Sequence, residues 1–121
     1  MMSGASFPRR VRLTGRNAFA SVFAQPVKSG DRYFTVLAHV NTVLHPRLGL
    51  AISRKVARSA VVRNRIKRVV RESFRRHQQQ LGGFDCVVMG RPGITALQDN
   101  AVLFAALQRH WQKLARLCAP S

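Results

Sequence analysis

The chain is short of acid. Asp31, Glu72, Asp85 and Asp99 are the only carboxylate side chains in 121 residues. No two of them stand at motif spacing, so no carboxylate pair for acid–base or metal-ion catalysis is visible. Cysteine is nearly as scarce. Cys86 and Cys118 show no pairing or metal-ligand spacing, which predicts two reduced, partly buried thiols. His39, His45, His77 and His110 are scattered, and no glycine-rich phosphate loop is present. No metal site, protein-bound cofactor or catalytic side chain is therefore expected. The N-terminus lacks an apolar signal core, and no run approaches membrane-spanning length, so a cytoplasmic location is expected.

Positive charge is what the chain has in quantity. Twenty-one Lys and Arg against four acids give a net charge of +17. Self-repulsion on this scale opposes compaction, so a polyanionic partner is expected to screen it. Seventeen of the cations are Arg, whose planar donor fork suits phosphate and stacks on bases. The apolar fraction of 46% belongs to a globular domain and not to a disordered basic tail. The length fits a single domain over residues 1–121 with one modest core.

Residues 1–12 hold Arg9, Arg10 and Arg12 around Pro8 and read as a basic arm, mobile or laid on RNA. Thr14 can cap a helix running to Ala24, ahead of Pro26, with Ala18, Phe19, Val22 and Phe23 on its apolar side. A short extended piece at 27–29 meets a turn at Gly30-Asp31. Tyr33–Val40 alternates as a strand, with Phe34, Val36, Ala38 and Val40 toward the core. Arg47–Ser53 reads as a second strand, and a hairpin between the two is the simplest pairing. Ser59 caps a helix over 60–80 that Gly82-Gly83 ends. Phe84–Met89 reads as an interior strand. A last helix from Asp99 or Asn100 to Leu117 keeps Leu103, Leu107, His110, Trp111, Leu114 and Cys118 on its inner side, with His110 as a packing residue. The fold class is α+β, a small mixed sheet with about three helices in the order αβββαβα.

The helix over 60–80 carries the functional signal. Between Val61 and Arg76, seven of sixteen residues are basic and one is acidic. With Ile66 pointing inward, Val62, Val69, Val70 and Ser73 fall within about 60° of it. Phe74 lies near the edge of this stripe. Arg63 and Arg65 flank it, and Asn64, Lys67, Arg68, Arg71 and Arg75 spread over the far side. A merely solvated helix would interleave Glu with its cations to form i,i+4 pairs. Here Glu72 is alone, so the face is expected to bind a polyanion.

The block Arg63-Asn64-Arg65-Ile66-Lys67-Arg68, with Arg71 and Phe74 after it, resembles the signature of the protein subunit of bacterial ribonuclease P. Arg12-Leu13, the Phe19/Phe23 pair and Gly49-Leu-Ala-Ile-Ser-Arg-Lys55 resemble the same family, over roughly residues 9–118. The resemblance implies a left-handed strand–helix–strand crossover, against the right-handed default, in a fold shared with a domain of a ribosomal protein. It implies a subunit that cuts nothing itself. A large catalytic RNA with magnesium would remove the 5′ leader of precursor tRNA, and the protein would help hold that substrate. Carried over by position, Arg54, Lys55, Arg58, Arg63, Asn64, Arg65, Lys67, Arg68 and Arg71 would contact the catalytic RNA. Phe19, Phe23, Tyr33 and Leu37 would line a cleft for the leader, where the aromatics stack on nucleotides or pack into the core. The free protein would be a monomer. The alternative function is a ribosomal or other structural RNA-binding protein. A DNA-reading helix is less apt, because a strand and not a partner helix precedes the basic helix.

Overall fold

The computed structural model describes residues 11–13, 16–24, 26–41, 43–92, 94 and 99–117. Its elements are α1 (Arg16–Ala24), β1 (Val27–Gly30), β2 (Phe34–Val40), β3 (Arg47–Ala51), α2 (Ala60–Leu81), β4 (Phe84–Gly90) and α3 (Asn100–Leu117). The order is αβββαβα and the class α+β, as the sequence predicts. Thr14, Cys118 and most of the basic arm lie outside the described residues.

The four strands lie in the order β1-β2-β4-β3. β1 and β2 form an antiparallel hairpin whose turn is organised by Asp31. One carboxylate oxygen of Asp31 accepts from the backbone N–H of both Tyr33 and Phe34, each at 2.8 Å. The expected hairpin between β2 and β3 does not form. β4 enters between them, antiparallel to β2 and parallel to β3. The reason lies in side-chain character. Phe84, Cys86, Val87 and Val88 bury both faces of β4, which suits a central position. β3 takes the edge and ends at Ala51, two residues earlier than its pattern suggests.

α2 and α3 pack on one face of the sheet over the larger core. Ile66, Val70 and Phe74 of α2 meet Leu103, Leu107 and Trp111 of α3 above Phe34, Val36 and Val88. Each such side chain, once fully buried, contributes roughly 1.5–3 kcal/mol. Phe74 is fully buried and not marginal to the stripe; its ring meets Trp111 edge-on at 5.8 Å. Val40 departs from its expected core role and is 61% exposed, because it ends β2 at the margin of the packed layer. Cys86 is buried in β4.

α1 covers the opposite face through a smaller cluster of Leu13, Val22, Leu37 and Val87, with Phe19 and Met89 packed against it. Val11 and Leu13 are buried, and Leu13 N–H donates to Leu48 O at 2.8 Å. Where the basic arm enters the described residues, at Val11 and Arg12, it is docked beside β3. The apolar character of Val11 and Leu13 is the cause.

Ser59 caps α2 as expected, its hydroxyl accepting from Val62 N–H at 3.3 Å. At the other end Gly82 turns at φ 67°, a conformation that glycine takes without a Cβ penalty. Asp99 caps α3 by accepting from Ala101 N–H at 3.0 Å.

Candidate nucleic-acid interface

The first half of α2 is a basic face bare of acid. Ile66, Val69, Val70 and Ser73 point into the core, as their spacing requires. Asn64, Arg68 and Arg71 are exposed, and Arg63, Arg65 and Lys67 are half-buried at the sides. Arg68 and Arg71 make no side-chain hydrogen bond or ion pair among the described residues. Arg65 is more constrained, donating to Asn100 Oδ1 of α3 at 2.6 Å.

The second half of α2 is different. Arg75 and Arg76 both bond Glu72, with Nε–O distances of 3.1 and 3.0 Å. Arg76 also lies 5.2 Å over the Phe104 ring. The Arg75 hydrogen bond, opposed by desolvation and reinforced by Arg76, holds the Glu72 carboxyl below its usual range. Helical spacing alone suggests that Lys67, Arg71 and Arg75 repel one another. The i+3 and i+4 geometry around Glu72 instead neutralises the C-terminal end of that row, so the bare strip ends near Arg71.

At the start of α2, Arg54, Lys55, Val56, Ala57, Arg58, Ala60 and Arg63 line an open depression of ≈ 860 Å³. Its charged groups are all cations, and it sits at the helix N-terminus, where the macrodipole also favours an anion. Val56 anchors this connector to the sheet. A Cβ on Gly90 would lie 2.9 Å from Val56 Cγ1, so the segment rests directly on the end of β4.

That same end of the sheet is open on the α1 side. Strand register sets Gly30, Thr35, Met89 and Ala51 in one row across it. Gly30 and Ala51 are exposed, and Thr35 and Met89 half-buried. This row and the basic depression therefore share one end of the molecule. Met89 and Ala51 were missed as site candidates in the sequence; the alternation of β4 and β3 could have indicated them only once those strands were known to be neighbours.

The four expected cleft residues do not share one surface. Phe23 is 48% exposed. Phe19 is half-buried and packs closely on Gly49, where an added Cβ would come within 2.6 Å of its ring atom Cζ. Tyr33 precedes β2 and packs against the larger core. Leu37 is buried beneath α1, because its row carries the smaller core. The open floor is one row further along, at Thr35 and Met89.

The acids are all engaged in structural contacts. Arg47 grips Asp85 with two hydrogen bonds of 2.7 Å, and Asn41 donates to the same carboxylate at 2.8 Å. Glu72 and Asp99 are occupied as described, and Asp31 holds its turn. Asp31 also lies 3.0 Å from His110 Nε2, within ion-pair reach but without hydrogen-bond alignment. Ser29 Oγ is 2.7 Å from His110 Nδ1. This Ser–His–Asp arrangement is closed to substrate, since Ser29 and His110 are both buried. Burial pushes the His110 imidazole below its ordinary value, assisted by Arg109 and Lys113 and opposed by Asp31. No group of three or more His, Cys, Asp or Glu able to hold a metal occurs among the described residues.

An α+β scaffold that turns one half of a basic helix and a cation-lined depression outward defines a polyanion-binding protein. The ribonuclease P family model matches residues 7–115, nearly the whole chain. The ribonuclease P protein component of Methylococcus capsulatus is 52% identical over 118 residues, covering 98% of this chain and 91% of that one. The Escherichia coli ribonuclease P protein component is 42% identical over 116 residues, covering 96% and 97%. Among solved structures, the RNase P protein of Thermotoga maritima superposes with a TM-score of 0.75 at 32% identity, covering 84% of this chain and 96% of its own. That of Staphylococcus aureus gives 0.76 at 28% identity, covering 87% and 94%. The chain belongs to the ribonuclease P protein family.

Proposed function

We propose that this chain binds the catalytic RNA of ribonuclease P through the bare half of α2 and the adjoining depression. Arg54, Lys55, Arg58, Asn64, Lys67, Arg68 and Arg71 meet the RNA backbone, with Arg63 and Arg65 bordering them. The 5′ leader of precursor tRNA lies along the open row of Thr35 and Met89, beside Phe23 and the edge of Phe19. Removal of the leader is the chemistry of the RNA and its magnesium ions, and the protein supplies binding and charge neutralisation. The free chain is a cytoplasmic monomer of one domain. No helix among the described residues is long and apolar enough to cross a membrane.

The observation that carries this function is the asymmetry of α2 in a chain of this family. Arg68 and Arg71, which make no side-chain hydrogen bond or ion pair among the described residues, stand on the side of Glu72 toward the helix start, whereas Arg75 and Arg76 beyond it are paired with that acid. The test is precursor tRNA cleavage by a bacterial ribonuclease P RNA at low magnesium, with and without the protein. Stimulation by the folded protein is expected; a folded protein that leaves the rate unchanged contradicts the proposal. RNA affinity is also expected to fall steeply with salt, as counterion release at several phosphates requires.

A further inference from the structure

We infer that Arg63 is a positioning residue, which arranges the cations around it for RNA binding and is not itself principally a phosphate contact. Its guanidinium turns back from α2 onto the preceding connector. Nη1 donates to Ala57 O at 2.9 Å and to Arg58 O at 2.8 Å. Both carbonyls belong to the segment that bears Arg54, Lys55 and Arg58. The same segment closes on itself, as Val56 and Ala57 N–H donate to Ser53 O at 3.0 and 3.3 Å. Val56 is buried and anchors it to the sheet. Three exposed cations therefore ride on a short loop held from two sides, by Val56 below and by the Arg63 guanidinium at the start of α2.

The chemistry favours arginine specifically. Its planar fork offers five donors in fixed directions, so one nitrogen can bridge two adjacent carbonyls while others stay available. A lysine would keep the charge but lose that planar geometry. Without the bridge, Arg54, Lys55 and Arg58 would sample many arrangements, and ordering them would fall to the moment of binding. The ligand is a run of RNA backbone phosphates on the catalytic RNA. This role presupposes the RNA-binding function proposed above.

The test compares the wild type with Arg63→Lys for affinity to a bacterial ribonuclease P RNA across a salt series, well below the thermal midpoint of both proteins. The net charge is the same in the two chains. Positioning predicts that Arg63→Lys weakens binding by about tenfold and lowers the log–log salt slope by about one or more, as phosphate contacts by neighbouring residues are lost. A merely structural role would leave the slope unmoved. A direct contact by Arg63 would let Lys keep both affinity and slope, and that result overturns the inference. The comparison is repeated in a chain carrying Arg54→Ala, Lys55→Ala and Arg58→Ala. Positioning predicts little further loss there, whereas general destabilisation predicts an equal loss in both backgrounds and also overturns it. Failure of the wild type to bind the RNA at all would instead count against the function itself.

Discussion

At the scale of residues, single polar groups are held by specific contacts, and two of them make testable claims. His110 is buried with its Nδ1 facing Ser29 and its Nε2 facing Asp31. With the proton on Nε2, Nδ1 accepts from the Ser29 hydroxyl. Burial favours the neutral ring, so its folded pKa lies below the unfolded value of about 6.5. Below that value the unfolded chain binds more protons than the folded one, and stability rises with pH across the window. The contribution is complete above about 6.5 and is lost as pH falls toward the depressed folded value. Thermal midpoints measured from pH 7.5 to 5.5 should therefore drop more for the wild type than for His110→Gln. A parallel response of the two proteins would refute the assignment. Phe23 makes the second claim. It is the exposed aromatic of α1, so Phe23→Ala should weaken leader-bearing precursor more than mature tRNA, by about tenfold if one stacked base is lost. Equal losses for both RNAs would remove Phe23 from the leader path.

At the scale of elements, α2 and α3 are joined by a buried polar contact as well as by packing. Trp111 Nε1 donates to Ser73 Oγ at 2.8 Å, and both residues are fully buried. Ser73→Ala leaves the indole N–H without its acceptor, which should cost about 1–3 kcal/mol. Chemical denaturation of the variant reads this directly, and a change below about 0.5 kcal/mol would show that another acceptor replaces the hydroxyl. The elements themselves were largely legible in the sequence. The 3.6-residue recurrence of Ile66, Val69, Val70 and Ser73, the Ser59 cap and the Gly82 stop define α2 almost to the residue. Strand pairing was not legible. Tyr33–Val40 and Arg47–Ser53 are neighbours in sequence, and nothing local shows that β4 intervenes. That long-range choice also decided the cleft. Alternation correctly placed Leu37 and Thr35 on the same face, but only the tertiary position of α1 buries one and leaves the other accessible. The pairing of Arg75 and Arg76 with Glu72 was written in their spacing, and it trims the basic strip that charge counting alone had drawn too long.

At the scale of the whole molecule, a chain of net charge +17 engages its four acids in structural contacts and leaves Arg54, Lys55, Arg58, Arg68 and Arg71 exposed on the connector and the adjoining part of α2. The position of charge, and not its total, is then what governs recognition. The most direct test removes two charges from either half of α2 and measures affinity for a bacterial ribonuclease P RNA near physiological salt. Arg68→Ala with Arg71→Ala takes them from the bare half, and Arg75→Ala with Arg76→Ala takes them from the half that Glu72 neutralises. If the position of charge governs recognition, the first pair weakens binding by about tenfold or more and flattens the salt slope by about two, whereas the second changes each far less. Equal losses from the two pairs would mean that net charge alone drives association, and would contradict that claim.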